Sequence, residues 1–214
     1  MNIHSLYNLF RPYFQRKRHQ MFYRLMKPLN RERILDVGGD HWFWSVAAEC
    51  KSHVTCLNLY IPQVVYDTKQ FSYVQGDGRQ LPYSDKEYNI VFSNSTIEHV
   101  GTFDDQYKFA SEIRRTGKRY WVQTPNKRFF MEPHLITPFI HYLPRRLQKK
   151  IIRHFTVWGL VTKPSKEQIN NFLASIRLLT REEMKRLFPD GTLYEERFLF
   201  FVKSFVVYKA SDDE

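Results

Sequence analysis

The feature that most restricts what this chain can fold into is a rhythm of short apolar runs bounded by turn residues and separated by stretches with helical spacing. Arg33–Val37 (RILDV), His53–Leu59 (HVTCLNL), Phe71–Gln75, Tyr88–Ser93 (YNIVFS) and Arg119–Gln123 (RYWVQ) are too short and too rich in β-branched and aromatic residues to be helices. Between them, Phe43–Cys50 has helical character, and the chain beyond Ser93 runs as helix in pieces toward Arg115. Strands alternating with helices imply parallel βαβ units and a three-layer α/β fold. Ahead of the first strand, Leu6, Leu9, Phe10, Phe14, Phe22, Leu25 and Met26 form a helical stripe broken near Pro12, giving an N-terminal helical segment over about 1–30. Near the other end, Thr180 with Glu183 three residues on is a helix-capping signal. Thr192–Phe198 and Phe201–Tyr208 then form two tightly joined antiparallel strands.

The rhythm breaks between about 124 and 166, where Pro125, Pro133, Pro138 and Pro144 fall among Phe, His and Arg. This stretch is expected to be an insertion that covers one end of the sheet as a lid, with a helix over Arg145–Phe155. No repeat or low-complexity linker divides the chain, so residues 1–214 are expected to form one domain.

At 214 residues and 43% hydrophobic composition, the chain can bury a sizeable core, which excludes global disorder. Its two cysteines, Cys50 and Cys56, exclude a disulfide framework and a four-cysteine metal site. Cys56, in mid-strand, is a poor nucleophile candidate. No apolar run is long enough to span a bilayer, and residues 1–14 lack the apolar stretch of a signal peptide, so a cytoplasmic protein is expected. The formal charge of +11 is concentrated at Arg16–Arg18 and at Arg145, Arg146, Lys149, Lys150 and Arg153. Such clusters can attract nucleic acid, anionic lipid or acidic substrates, or can simply be a solvated face. Leu143–Phe155 is also basic and amphipathic enough for a membrane surface.

The chemistry sits at the ends of the strands. Asp36-Val37-Gly38-Gly39 closes the first strand ahead of a helix, an arrangement that lets backbone approach a ligand and favours negative charge at the helix start. Gly76-Asp77-Gly78 ends the third strand. Leu81-Pro82-Tyr83 follows, then a strand ending in Ser93-Asn94 and the run Glu98-His99-Val100. These groups would share the carboxyl edge of the sheet, where open α/β sheets bind ligands.

RILDVGG and YVQGDGRQLPYSDKEYNIVFSNSTIEHV, with the closing helix–strand–strand, resemble the class I S-adenosylmethionine-dependent methyltransferases, in particular their type 11 branch. The resemblance covers about residues 32–123 by motif and 178–209 by topology. It implies a Rossmann-like three-layer sandwich with a seven-stranded, mostly parallel sheet whose last strand is antiparallel beside the fifth. It implies S-adenosylmethionine as cofactor, with Asp36, Gly38 and Gly39 around its methionine part. Asp77 and Gly78 would lie at the adenine, and Ser93 and Asn94 near the transferred methyl group. Two positions depart from the family pattern. Asp40 and Trp42 stand where its glycine loop has the second and third glycines, and Asn58 replaces the acidic residue that holds the ribose hydroxyls. An amide there lacks the charge that strengthens such bonds, so an aspartate at 58 is expected to tighten binding.

Methyl transfer from a sulfonium needs alignment and exclusion of water, with a general base where the acceptor carries a proton. The catalytic candidates are His134, with Glu132 to orient it, and His99. No metal is expected, because Glu132, His134 and His141 have no recognisable ligand spacing. The function expected is methylation of oxygen, nitrogen or carbon on a small or medium-sized acceptor. Two alternatives stay open: methylation of RNA, suggested by the basic–aromatic stretches at 16–24 and 145–153, and non-catalytic binding of S-adenosylmethionine.

Overall fold

In the computed structural model, the described residues are 16–45, 52–61 and 70–210. A helix over 16–26 (α1) precedes strand β1 (Arg33–Val37) and the short helix α2 (His41–Ser45). Strands β2 (His53–Asn58), β3 (Phe71–Gln75) and β4 (Tyr88–Asn94) follow, then a 3-10 turn (Ile97–His99), helix α3 (Phe103–Thr116) and β5 (Gly117–Pro125). The expected helical stripe over 1–15 and the helix continuation over 46–50 lie outside the described residues.

β1, β2, β3, β4 and β5 pair in parallel, and the chain closes with helix α7 (Arg181–Leu187) and strands β8 (Thr192–Phe198) and β9 (Phe201–Lys209). The seven-stranded sheet has the order β3-β2-β1-β4-β5-β9-β8, with β9 antiparallel to both neighbours. This is the Rossmann-like α/β architecture expected from the sequence. The capping signal at Thr180 is real: its side chain accepts from the Glu183 N–H, and Glu183 reaches back to the Thr180 N–H.

Side chains of a strand alternate between sheet faces, and here the two faces have different character. Leu35, Val37, Val91 and Val122 pack under α3 and α7 against Phe109, Ile113, Met184 and Leu187. Ile34, Ile90, Phe92 and Trp121 face an aromatic layer built with Phe22, Met26, Phe43 and Trp44. The alternation therefore puts Asp36 on the aromatic face, and puts Ser93 on the face covered by α3.

Between β5 and α7 the chain forms a small hairpin, β6 (Met131–Glu132) with β7 (Thr137–Pro138), and helices α4 (Arg145–Phe155), α5 (Val157–Thr162) and α6 (Lys166–Ser175). This segment has its own apolar cluster of Leu135, Ile140, Ile152, Ile169 and Leu173. It leaves the sheet after Pro125 and returns at Leu179, which bridges Asn126. It is thus longer than the stretch of broken rhythm in the sequence, because α6 repeats a helical pattern indistinguishable from that of the main layers.

Arg18 is not part of a solvated basic cluster. It is 9% exposed, and its guanidinium bonds both oxygens of Glu196 at 3.0 Å, Asn94 Oδ1 at 3.3 Å and Ser204 Oγ at 3.4 Å. α1 is thereby fastened to the ends of β4, β8 and β9. Phe22 anchors the same helix by presenting edge-on contacts to Trp44, Phe92 and Trp121 at 5.3–5.6 Å between ring centres. Phe22→Ala is expected to lower unfolding free energy by about 3–5 kcal/mol. Urea denaturation checks this, and a loss below about 1 kcal/mol would mean that α1 does not belong to the core.

Candidate active site at the carboxyl edge of the sheet

The loop after β1 is built around a buried carboxyl group. Asp36 is 1% exposed, its Oδ2 accepts from the Trp44 indole N–H at 2.8 Å, and its Oδ1 has no protein partner. Burial pushes its pKa up to about 8, opposed by the bond from Trp44 and reinforced by the nearby charge of Asp40. The loop folds directly over this group. A Cβ on Gly39 would lie 2.0 Å from Asp36 Oδ2, so only glycine fits. Gly38 has φ of +81°, its N–H donates to Leu57 O at 2.8 Å, and a Cβ on it would meet the Thr96 side chain at 2.2 Å. The side chain of Trp42, at the third glycine position of the family loop, lies outside the described residues.

Asn58, at the end of β2, donates from Nδ2 to Gly39 O at 2.7 Å. Its amide therefore holds the glycine loop, and Oδ1 is the atom left to accept from a ligand hydroxyl. This role was invisible in the sequence, and it argues for weaker rather than tighter binding with an aspartate there. A carboxylate would place an acceptor against the Gly39 carbonyl.

Asp77 and Gly78 follow β3. Asp77 is bound by Arg79 through Nε at 3.0 Å and Nη2 at 2.7 Å, while Arg79 Nη1 reaches Asp105 at 3.3 Å. The side-chain bond from Arg79 outweighs burial and holds the carboxylate below its ordinary pKa. A carboxylate has about four lone-pair sites, so it can still accept from a ligand amine. Gly78 is required by packing, since a Cβ there would sit 2.5 Å from Phe109 and 2.8 Å from Val37. At the end of β4, the buried Ser93 donates from Oγ to Val37 O at 2.9 Å and ties the two central strand ends together. Asn94 accepts from Arg18, as described above.

The three catalytic candidates are brought together. The rings of His99 and His134 meet edge to face at 5.0 Å between centres, and His134 Nδ1 lies 2.8 Å from Glu132 Oε1. Glu132 is buried, and its Oε2 accepts from the Leu135 N–H. Burial alone would lower the pKa of His134, but the bond and charge of Glu132 prevail and raise it. His141 instead faces Lys127 O at 3.1 Å through Nε2. The sequence reading missed Glu98 as a site residue. It is fully buried, its Oε2 accepts from Thr124 Oγ1 at 2.9 Å, and its Oε1 has no partner. The available signal was its place beside His99, one turn beyond a strand end.

Residues 35–119 match the family described as a methyltransferase domain. The fold agrees. A S-adenosylmethionine-dependent methyltransferase from Methanosarcina mazei superposes with a TM-score of 0.53 at 12% identity, over 88% of this chain and 95% of that one. Residues 35–119 are thus similar to a methyltransferase domain, on a fold shared with solved methyltransferases. Geranyl diphosphate C-methyltransferase from Streptomyces coelicolor, solved with Mg2+, geranyl diphosphate and S-adenosyl-L-homocysteine, gives a TM-score of 0.57 at 12% identity, over 91% and 79% of the two chains. These likenesses show the fold. An uncharacterized protein of Mycobacterium tuberculosis is 30% identical over 71 residues, which are 33% of this chain and only 24% of that relative. Among the described residues, no helix is long and apolar enough to cross a membrane.

The buried Asp36 makes a prediction about stability. Unfolded, the carboxyl ionises near its ordinary pKa of 3.8, whereas folded it keeps its proton up to about pH 8. Between those values the native state binds more protons than the unfolded one, so stability falls as pH rises, with a slope of about 1.4 kcal/mol per pH unit. Asp36→Asn keeps an acceptor for Trp44 and removes the titration. Its stability relative to the parent should be similar near pH 4 and should grow steadily toward pH 8. Parallel stability curves in chemical denaturation would show that Asp36 is ionised in the fold.

Proposed function

We propose that the chain is an S-adenosylmethionine-dependent methyltransferase of the cytoplasm that methylates a small or medium-sized acceptor. One observation carries this reading: Thr96 packs on Gly38, so the glycine loop and the turn bearing Glu98 and His99 meet at one point of the sheet edge. A donor site and an acceptor site placed in this way are what methyl transfer requires. The residues fit the cofactor. Asp36 offers a buried oxygen without a partner beside a left-handed Gly38, suited to a cationic, amine-bearing group. Asn58 Oδ1 suits a ribose hydroxyl, Asp77 the adenine amine, and Ser93 and Asn94 would stand by the methionine end. The sulfonium supplies an activated methyl group. The chain's own residues align the acceptor and exclude water, and the segment from 126 to 178 serves as the lid within a single domain.

At the acceptor end, His134 is the simplest proton acceptor, with Glu132 fixing its ring and His99 beside it. A second reading, an RNA acceptor, draws on Arg146, Lys149, Lys150 and Arg153, which are all exposed on α4. Retention on RNA that falls steeply with salt would favour it.

Calorimetric titration with S-adenosylhomocysteine tests the cofactor site. Binding is expected for the parent chain. It should weaken by about 1–3 kcal/mol in Asn58→Asp, which removes the donor to Gly39 O and leaves that carbonyl facing a carboxylate. Tighter binding in that variant would restore the family's usual arrangement. For His134→Ala, methyl transfer measured from labelled S-adenosylmethionine is expected to fall by about 10²–10⁴-fold with unchanged S-adenosylhomocysteine affinity. Undiminished transfer would remove His134 from the chemistry.

A further inference from the structure

Glu98, His99 and His134 come from two segments well separated in sequence, yet one ligand atom from each lies within 4.8 Å of the others. Glu98 and His134 are already fixed by a second bond. Glu98 Oε2 accepts from Thr124, leaving Oε1 buried and without a partner. His134 is held through Nδ1 by Glu132, which is itself held by the Leu135 N–H. His99 lies edge to face against His134. An imidazole with one nitrogen committed to a carboxylate or a carbonyl presents the other as a directed lone pair, which is how protein scaffolds orient metal-binding histidines. A fully buried carboxylate oxygen is costly unless a proton or a cation satisfies it.

We propose that Glu98, His99 and His134 bind a divalent first-row transition cation at the acceptor end of the site, with Glu132 as the positioning residue for His134. Two imidazoles and one carboxylate suit Zn2+, Mn2+, Co2+ or Fe2+ and leave coordination positions open. Bond lengths near ~2.1 Å bring ligand atoms to about 3–4 Å from one another, so side-chain adjustments of about 1 Å complete the site. His99 is exposed, which gives an ion a path in, whereas Glu98 is buried and gives the site a fixed floor.

The chemistry that follows rests on the methyltransferase reading and narrows the acceptor to a hydroxyl compound. A hydroxyl oxygen on the cation loses its proton to solvent more readily, because the metal lowers its pKa. A lone pair on that oxygen then forms the new bond to the methyl carbon. The electrons of the breaking carbon–sulfur bond return to sulfur, so the cationic donor leaves as a neutral thioether.

The test is ion binding by the purified full chain after removal of metals with a chelator. Mn2+ is titrated by electron paramagnetic resonance and Zn2+ by competition against it. One ion per chain is expected, with affinity lost in Glu98→Gln and His99→Ala and reduced about 10–100-fold in Glu132→Gln. Because a variant can fail to fold, each is melted without ion. The parent should gain thermal stability on adding Zn2+, and folded variants should not. Absence of saturable ion binding by the parent, or parent-like binding by a folded His99→Ala, overturns the proposal. S-adenosylhomocysteine titration is run on the same samples. Ion binding without it upholds the metal site and sinks the methyltransferase reading, and the converse result overturns the metal site alone.

Discussion

The hydrogen bond between the Trp44 indole and the Asp36 carboxyl is the contact on which the donor end of the site depends. Asp36 ends the central strand on the aromatic face, where a polar group has little company. Trp44 supplies the missing donor from α2 and so fixes where the chain must go after Gly39. The carboxyl's position then dictates glycine at 39, and the crossing over Thr96 dictates glycine at 38. Asn58 closes the arrangement from the neighbouring strand by holding the Gly39 carbonyl. A family loop with three glycines achieves close approach through backbone freedom, whereas this loop achieves it by packing against side chains. The two constrained positions, 38 and 39, are both glycine.

How much of this the sequence disclosed follows from the range of each interaction. Strands β1, β2, β3, β4, β8 and β9 were legible because each is an apolar run bounded by turns, and α4 and α7 because amphipathic spacing and capping are local. His99, Glu132 and His134 could be named as residues able to carry protons, but nothing local says that they meet. That depends on where β4 and β5 deliver two separate segments. The same holds for Arg18, which is indistinguishable in sequence from Arg16 and Lys17 until Glu196 and Asn94 arrive from strands far along the chain. Asn58 was incompletely legible for another reason. Its position in the family pattern suggests a ribose contact, and the donor contact to Gly39 O becomes visible only in the fold.

The acceptor end can be used in two ways that exclude each other at one atom. With Nδ1 held by Glu132, the remaining nitrogen of His134 can take a proton or a cation, not both. As a base it needs only the acceptor's hydroxyl in reach, and Glu98 is then an unexplained buried carboxyl. As a ligand it gives Glu98 Oε1 a partner and His99 a function, which is why the cluster as a whole favours the ion. Both uses require Glu132, so loss of Glu132 cannot separate them, whereas changing His99 can.

The donor and acceptor ends are supported by different packing. The glycine loop stands on the aromatic face of the sheet, while Glu132 and His134 rise from a hairpin next to Leu135, which belongs to the separate apolar cluster of Ile140, Ile152, Ile169 and Leu173. The two are joined at several points: Thr124 on Glu98, the Arg177 N–H on Glu98 O, Gln106 on Arg177, and the return at Leu179 on Asn126. Fold-level likeness then reaches the donor end, which is set by the sheet, and stops at the acceptor end, which is set by the inserted helices. On the proposed reading, the inserted segment from 126 to 178 lines the acceptor side, and a cation spanning Glu98 and His134 would pin that segment to the sheet at the point where the two parts meet.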